Sequence, residues 1–109
     1  MTNILIKKTT NGEYKGFTCS GHAGFAKSGK DIVCAAVSIL VMNTINSMEE
    51  LAGEDMGITT DEDTGYIDCF FNSPLSEQGR LLMDSMILGL SGVEKQYGRK
   101  YLVLKFKEV

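Results

Sequence analysis

The sequence predicts one α+β domain in which two helices pack on one face of a small, mixed, mostly antiparallel sheet, with the element order ββαββαβ. The chain has 109 residues, enough for one domain around a single hydrophobic core, so residues 1–109 are treated as that domain. Two long segments carry apolar residues at helical spacing, and five shorter segments have the character of strands.

The strands are recognised by short apolar runs or by alternation, and turn residues separate them. Asn11-Gly12 and Asp63-Thr64-Gly65 are turn signals, and the first of them joins two strands into a hairpin. The predicted strands are 3–8, 14–20, 58–60, 66–71 and 101–107.

Two helices lie between these strands. Asp31 is a preferred N-cap residue, so the first helix is predicted to begin there and to run to about Leu51. Its first half, residues 32–42, is apolar almost all round, which indicates burial on more than one side, in part by a second copy of the chain. The second helix is predicted from Ser73-Pro74, with proline at the first helical position, to about Tyr97, with Gly98 as a cap.

Composition and charge exclude several classes of protein. The formal net charge is -3, and a sequence-independent nucleic-acid binder would be basic, so no direct nucleic-acid partner is expected. Three cysteines without CxxC spacing and a single histidine argue against a disulfide framework and a structural zinc site. We therefore expect neither a metal nor an organic cofactor.

No segment has the pattern of a targeting sequence. Residues 1–10 are too polar for a signal peptide, and the longest strongly apolar run, 32–42, has 11 residues, too few to span a bilayer. We expect a cytoplasmic protein with reduced thiols and no membrane partner.

The chemistry is predicted at the start of the first helix. With Asp31 as N-cap, Cys34 lies in the first turn, where the helix dipole and unpaired N–H groups favour a thiolate and could form an oxyanion hole. The alternative is a packed core thiol, because Cys34 lies in an apolar run beside Ala35 and Ala36. Cys19 and Cys69, on strands with apolar neighbours, are predicted to be core thiols.

The only histidine, His22, precedes this helix on a glycine-rich segment, 21–30, that is predicted to be a mobile loop. His22 could form an ion pair with the thiolate and protonate a leaving amine, or it could be an exposed residue without a task. Asp31 could orient His22 or only cap the helix, and Ser38, one turn beyond Cys34, could enter the site or bond to its own helix. Within the loop, Gly21, Gly24 and Gly29 could be the hinges of a lid or plain turn residues.

These residues resemble a known family. The run Gly21-His22-Ala23, followed by Asp31-Ile32-Val33-Cys34-Ala35-Ala36-Val37-Ser38, resembles the ribosomal-processing cysteine proteases, the Prp proteins of Firmicutes and related bacteria. The resemblance also covers chain length and element order. It implies a catalytic dyad of His22 and Cys34, with Asp31 and Ser38 as candidates for assisting roles.

The resemblance also implies a substrate and an assembly. The substrate would be the N-terminal extension of a large-subunit ribosomal protein, the twenty-seventh of that series, removed after a pair of aromatic residues. The protein would be a homodimer whose histidine-bearing loop becomes ordered on substrate binding. A ribosome-assembly or protein-binding module with a buried Cys34, and a different thiol enzyme such as an acyltransferase, remain the alternatives.

A further feature of the sequence is a cluster of acidic residues. Seven of the 14 acidic residues lie within fifteen positions, without a lysine or arginine among them: Glu49, Glu50, Glu54, Asp55, Asp61, Glu62 and Asp63. This cluster could attract a basic ribosomal substrate and speed its encounter, or it could be a solvated helix end and turn.

Overall fold

The structure is a computed structural model that describes residues 1–21, 28–61 and 63–109, with the backbone alone at 28–31. Its element order confirms the predicted ββαββαβ. The elements are β1 (Thr2–Lys8), β2 (Tyr14–Ser20), α1 (Ser28–Glu50), β3 (Met56–Asp61), β4 (Tyr66–Phe71), α2 (Glu77–Tyr97) and β5 (Leu102–Glu108).

The five strands form one mixed sheet in the order β3-β4-β2-β1-β5. Only the β1–β5 pair is parallel, and the other three pairs are antiparallel, as predicted. The register places Ile4 beside Cys19 and Cys19 beside Ile67, so alternate residues of neighbouring strands share one face. That face joins the core with α1 and α2 through Ile6, Phe17, Met83, Met86 and Leu90, which are almost completely buried.

Helix α1 has two apolar faces. Its sheet-facing residues recur every three or four positions and are buried: Val33, Val37, Val41, Ile45 and Met48. Away from the sheet, Ile32, Ile39 and Met42 are exposed by 54%, 69% and 43%. Within one copy of the chain, this apolar stripe, Ile32–Ile39–Met42, is therefore not buried, and the predicted burial by a second copy stays a prediction.

The same helix corrects the expectation that no segment is long enough to cross a bilayer. Over Ile32–Glu50 it has a mean hydropathy of 1.5 across at least 18 residues, which satisfies the length and composition of a membrane span. A core helix of a globular domain meets the same criterion, and α1 packs its buried valines against the sheet.

The start of α1 differs from the prediction. The helix begins at Ser28 rather than Asp31, so Asp31 is its fourth residue and Gly29 belongs to the helix rather than to a flexible loop. An acidic residue in the first helical turn interacts favourably with the helix dipole without being the N-cap, which explains the misplacement.

The start of α2 also differs. The predicted Ser73-Pro74 start is wrong because Ser76 is the N-cap: its hydroxyl accepts a hydrogen bond from the N–H of Gly79 at 3.1 Å. The carboxylate of Glu54 in turn accepts the N–H of Ser76 at 3.0 Å. At the other end Gly98 is the predicted cap, with φ 98° and an N–H that donates to the carbonyl of Glu94.

Candidate active site

A cleft of about 500 Å³ opens between α1 and one end of the sheet. Three parts of the chain line it: Thr2, Cys19 and Gly21 from β1 and the end of β2; Cys34, Val37, Ser38, Val41 and Met42 from α1; and Thr60, Asp61, Gly65, Tyr66 and Ile67 from the β3–β4 hairpin. A cleft of this size can hold several side chains of a peptide, and most of its helix wall is apolar.

Cys34 lies on the helix wall of this cleft and is half-buried. The other two cysteines, Cys19 and Cys69, are buried, as predicted for core thiols. Cys34 is therefore not a sealed core thiol, because the residue lines a cleft open to solvent.

The environment of Cys34 along the helix differs from the prediction. Because α1 begins at Ser28, Cys34 is its seventh residue, and in an α-helix the N–H of a seventh residue is bonded to the carbonyl four positions earlier. Its N–H is not one of the four unpaired N–H groups of the helix start, so the predicted oxyanion hole cannot use it. The dipole effect, strongest in the first turn, is also weaker at Cys34 than predicted.

Ser38 is brought to the same cleft as Cys34. It is exposed, lies one helical turn further along α1, and lines the cleft beside Met42. The sequence therefore placed Cys34 and Ser38 correctly on one side of the helix.

Gly21 reaches the cleft from the sheet. It follows the last residue of β2 with φ 92°, a backbone conformation that favours glycine. A Cβ atom at this position would overlap the carbonyl oxygen of Met1. Gly21 is thus a fixed point where two backbone segments meet, and His22 is the next residue along the chain.

Three predicted site positions lie outside the described residues. They are His22, Gly24 and the side chain of Asp31. The backbone of Asp31 is helical, so its predicted role as N-cap is wrong.

The opposite wall of the cleft was missed by the sequence interpretation. Thr60, Asp61, Tyr66 and Ile67 lie on two strands that become neighbours of the helix only because β4 pairs with β2. The alternation that set Ile67 on the same face as Cys69 was the available signal. Asp61 also accepts the N–H of Asp63 at 3.0 Å, which stiffens the turn beside the cleft.

Burial changes the acidity of Cys19, the cleft residue on β2. It raises the pKa of this thiol from 9.0 to about 11, and negative charge at Cys34 contributes in the same direction. Cys69 is held as a thiol by burial, with its pKa raised to about 12, and its Sγ lies 3.9 Å from the Sδ of Met56. Among the described residues, no group of three histidine, cysteine or acidic side chains could hold a metal ion.

Known proteins resemble this chain over most of its length. The family model "Cysteine protease Prp" matches residues 1–102. The ribosomal processing cysteine protease Prp of Bacillus subtilis (strain 168) is 33% identical over 101 residues, spanning 89% of this chain and 90% of that protein. The protein of the same name from Staphylococcus aureus (strain Mu50) is 25% identical over 97 residues, spanning 89% and 92%.

Solved structures share the fold. The essential ribosomal processing protease Prp of S. aureus, crystallised with a substrate peptide, superposes with a TM-score of 0.89 at 23% identity, covering 98% of this chain and 100% of that one. The Streptococcus mutans protein SMU.848 superposes with a TM-score of 0.86 at 28% identity, covering 100% and 96%.

Proposed function

Because this chain belongs to the Prp family of cysteine proteases, we propose that it removes the N-terminal extension of a large-subunit ribosomal protein, the twenty-seventh of that series, with Cys34 as nucleophile and His22 as base. The observation that carries the proposal is the position of Cys34, half-buried on the wall of a cleft that Ser38 and Gly21 also line. A nucleophile must be reachable by a peptide, and of the three cysteines only Cys34 is not buried.

The reaction follows the chemistry of thiol proteases. His22 takes the proton of the Cys34 thiol, and the thiolate attacks the carbonyl carbon of the scissile peptide bond. The C–S bond forms while the carbonyl π bond opens to an oxyanion. When the oxyanion collapses, the C–N bond breaks and the imidazolium of His22 protonates the leaving amine. Water, deprotonated by His22, then hydrolyses the thioester and releases Cys34.

The cleft walls suit the substrate proposed. The extension is removed after a pair of aromatic residues, and aromatic rings are held best against apolar side chains. Met42 on the helix wall, exposed by 43%, and half-buried Ile67 on the strand wall supply such a surface. Ribosomes are assembled in the cytoplasm, and the proposal places the protein there.

Ser38 and Asp31 are proposed to assist the dyad. The hydroxyl of Ser38 can donate a hydrogen bond into the cleft, and Asp31 lies one helical turn before Cys34. Replacement of Ser38 by alanine should lower kcat by less than replacement of Cys34, because a donor that assists is worth about 1–3 kcal/mol.

The direct test uses a peptide that copies the ribosomal extension and its junction. Wild type should release the two fragments, and Cys34→Ala and His22→Ala should release neither while remaining folded. Cys69→Ala is the matched control, because it removes a thiol that does not line the cleft. Fragments are identified by mass spectrometry, and retained cleavage by Cys34→Ala would refute the assignment of the nucleophile.

We also propose a homodimer in which the apolar stripe Ile32–Ile39–Met42 of each copy is covered by the other. Three large apolar side chains are exposed on one helix face, and Met42 also lines the cleft, so the interface would adjoin the site. Sedimentation equilibrium should give a dimer for wild type and a monomer for Ile39→Lys. Leu81→Lys on α2 also replaces an exposed large apolar side chain, so it is the control and should remain dimeric.

A further inference from the structure

Two of the three cysteines line the same cleft from opposite sides. Cys34 lies on α1 and is half-buried, whereas Cys19 lies on β2 and faces the helices. Cys69 is on the neighbouring strand, but its sulfur packs against Met56 and it does not line the cleft. Cys19 and Cys34 therefore share one cleft, whereas Cys69 has different surroundings.

The two cysteines also interact electrostatically. Part of the rise in the pKa of Cys19 comes from negative charge at Cys34, in addition to the larger effect of burial. The geometric observation is that both residues line one cleft, Cys34 from the helix and Cys19 from the sheet, and the electrostatic interaction agrees with that placement.

We propose that Cys34 and Cys19 form a peroxide-sensitive redox site, in which Cys19 is the resolving thiol that converts oxidised Cys34 into an intrachain disulfide. The disulfide itself depends only on the two thiols. Its consequence, a reversible loss of protease activity, rests on the proposed role of Cys34 as nucleophile.

The chemistry needs one equivalent of a hydroperoxide, here hydrogen peroxide. The Cys34 thiolate attacks one peroxide oxygen, so that an S–O bond forms, the O–O bond breaks and hydroxide leaves. The Cys19 thiolate then attacks the sulfur of the Cys34 sulfenic acid, so that the S–S bond forms and a second hydroxide leaves. With the two thiol protons, the products are one disulfide and two water molecules, and a dithiol reductant reverses the oxidation.

The environment of Cys19 sets the order of these steps. In the reduced protein, burial is the larger of the two effects that keep Cys19 in its thiol form, so that peroxide reacts first at the more exposed Cys34. Once Cys34 is a sulfenic acid, Cys19 is the thiol that lines the same cleft, whereas Cys69 does not. The resolving step by Cys19 therefore follows the oxidation of Cys34.

A disulfide at this position would protect the nucleophile. A sulfenic acid without a neighbouring thiol is oxidised further to sulfinic and sulfonic acids, which thiol reductants do not reverse. With Cys19 nearby, Cys34 would be held in a form that a reductant restores.

The test is a peptide map of the wild-type protein after treatment with hydrogen peroxide and alkylation of free thiols. Trypsin together with a glutamyl endopeptidase separates the cysteines, because Lys15 and Lys27 flank Cys19, and Glu50 lies between Cys34 and Cys69. The expected product is one linked pair of peptides, from Cys19 and Cys34, with the mass of two hydrogens lost and Cys69 alkylated. A map with sulfinic or sulfonic acid at Cys34 and no linked pair would overturn the proposal.

Activity provides a second measurement. Each protein is oxidised, treated with dithiothreitol and compared with its own untreated rate, so that an altered basal rate does not affect the result. Wild type should recover most of its cleavage activity, and Cys19→Ser should recover a several-fold smaller fraction, whereas Cys69→Ala should behave as wild type. Equal recovery by Cys19→Ser and wild type would contradict the role of Cys19. If the extension peptide is not cleaved at all, the linked peptides still decide on the redox site, and only the proposed substrate fails.

Discussion

The backbone carbonyl of Met1 occupies the space that a side chain on Gly21 would need. Gly21 combines this contact with φ 92° and a place on the cleft wall, immediately before His22. The start of the chain and the end of β2 therefore meet at one point, and His22 is covalently attached to that point.

Replacement of Gly21 by alanine should lower kcat more than it raises KM. The added Cβ must displace the backbone of Met1, and the alanine must adopt an unfavourable positive φ. Backbone strain of this kind costs about 1–3 kcal/mol. The displaced backbone would shift the attachment of His22. Steady-state kinetics with the extension peptide, together with urea unfolding, measures both effects.

Gly12→Ala is the matched control for this prediction. Gly12 also has a positive φ, 83°, but its nearest neighbour to an added Cβ is the Nη2 of Arg80 at 3.8 Å, and it does not line the cleft. It should lose stability through φ strain and keep its kcat. An equal loss of kcat in both variants would show that general destabilisation, not the position of the segment, is responsible.

Glu54 and Gly79 should show strong energetic coupling. A Cβ on Gly79 would collide with the Glu54 carboxylate, which accepts hydrogen bonds from the N–H and hydroxyl of Ser76. In the wild-type background, Gly79→Ala should displace this carboxylate and offset the gain of about 1 kcal/mol that alanine usually gives over glycine in a helix. In a Glu54→Ala background the same substitution should stabilise the protein.

A double-mutant cycle in urea tests that coupling. Glu54→Ala alone should cost about 0.5–1.5 kcal/mol, the usual net value of a hydrogen bond, because it removes the acceptor of the Ser76 N–H. The summed changes in unfolding free energy of the two single variants should differ from the change in the double variant by at least about 0.5 kcal/mol. Additive effects would mean that the Glu54 side chain moves aside without cost.

The element order could be predicted because alternation and helical spacing are local properties of the sequence. The two helix starts were misplaced for different reasons. Asp31 is of a residue type that is favoured at an N-cap, but in α1 it is the fourth residue of a helix that begins at Ser28. The start of α2 depends on Glu54, which is 22 residues from Ser76, and a contact at that separation has no local signal.

The candidate site also has one part that follows from local sequence and one part that depends on the tertiary fold. Cys34 and Ser38 are one helical turn apart, so their common position follows from the sequence alone. The strand wall, including Asp61 and Ile67, depends on the strand order β3-β4-β2, which is a property of the tertiary fold. Sequence periodicity identifies the faces of each strand, but it does not determine which strands become neighbours.

The acidic cluster leads to a prediction about ionic strength. Glu54 accepts hydrogen bonds from Ser76, the N-cap of α2, and Asp55 accepts the side-chain N–H of Asn72 at 3.1 Å, so these two residues have structural roles. Asp61 lines the cleft and is exposed. If the cluster steers a basic substrate, kcat/KM for the full-length ribosomal protein should fall steeply with salt.

Asp61→Asn should lower kcat/KM at low salt and reduce its salt dependence. Glu77→Gln, at the start of α2 and away from the cleft, removes the same charge and serves as the control. A rate that does not change with salt, or equal effects of the two substitutions, would mean that the cluster is a solvated surface that does not steer the substrate.

Tyr14 should make the protein less stable at alkaline pH. Burial, followed by the hydrogen bond to Asp84 and the charge of that carboxylate, raises the pKa of Tyr14 from 10.0 to about 12, although Arg80 opposes the shift. Between these values the folded state binds a proton that the unfolded state has lost. The stabilisation is therefore complete below pH 10 and is lost as the pH rises towards 12.

The measurement is the difference in unfolding free energy between wild type and Tyr14→Phe across this range. The phenylalanine variant lacks the hydrogen bond to Asp84, so wild type should be more stable by about 1 kcal/mol at pH 8. The two curves should converge between pH 10 and 12, because ionisation of Tyr14 removes its advantage. Cys19 and Cys69 also have raised pKa values, of about 11 and 12, but they are present in both proteins and their contribution cancels. Parallel curves over this range would mean that the Tyr14–Asp84 hydrogen bond does not control the ionisation of the phenol.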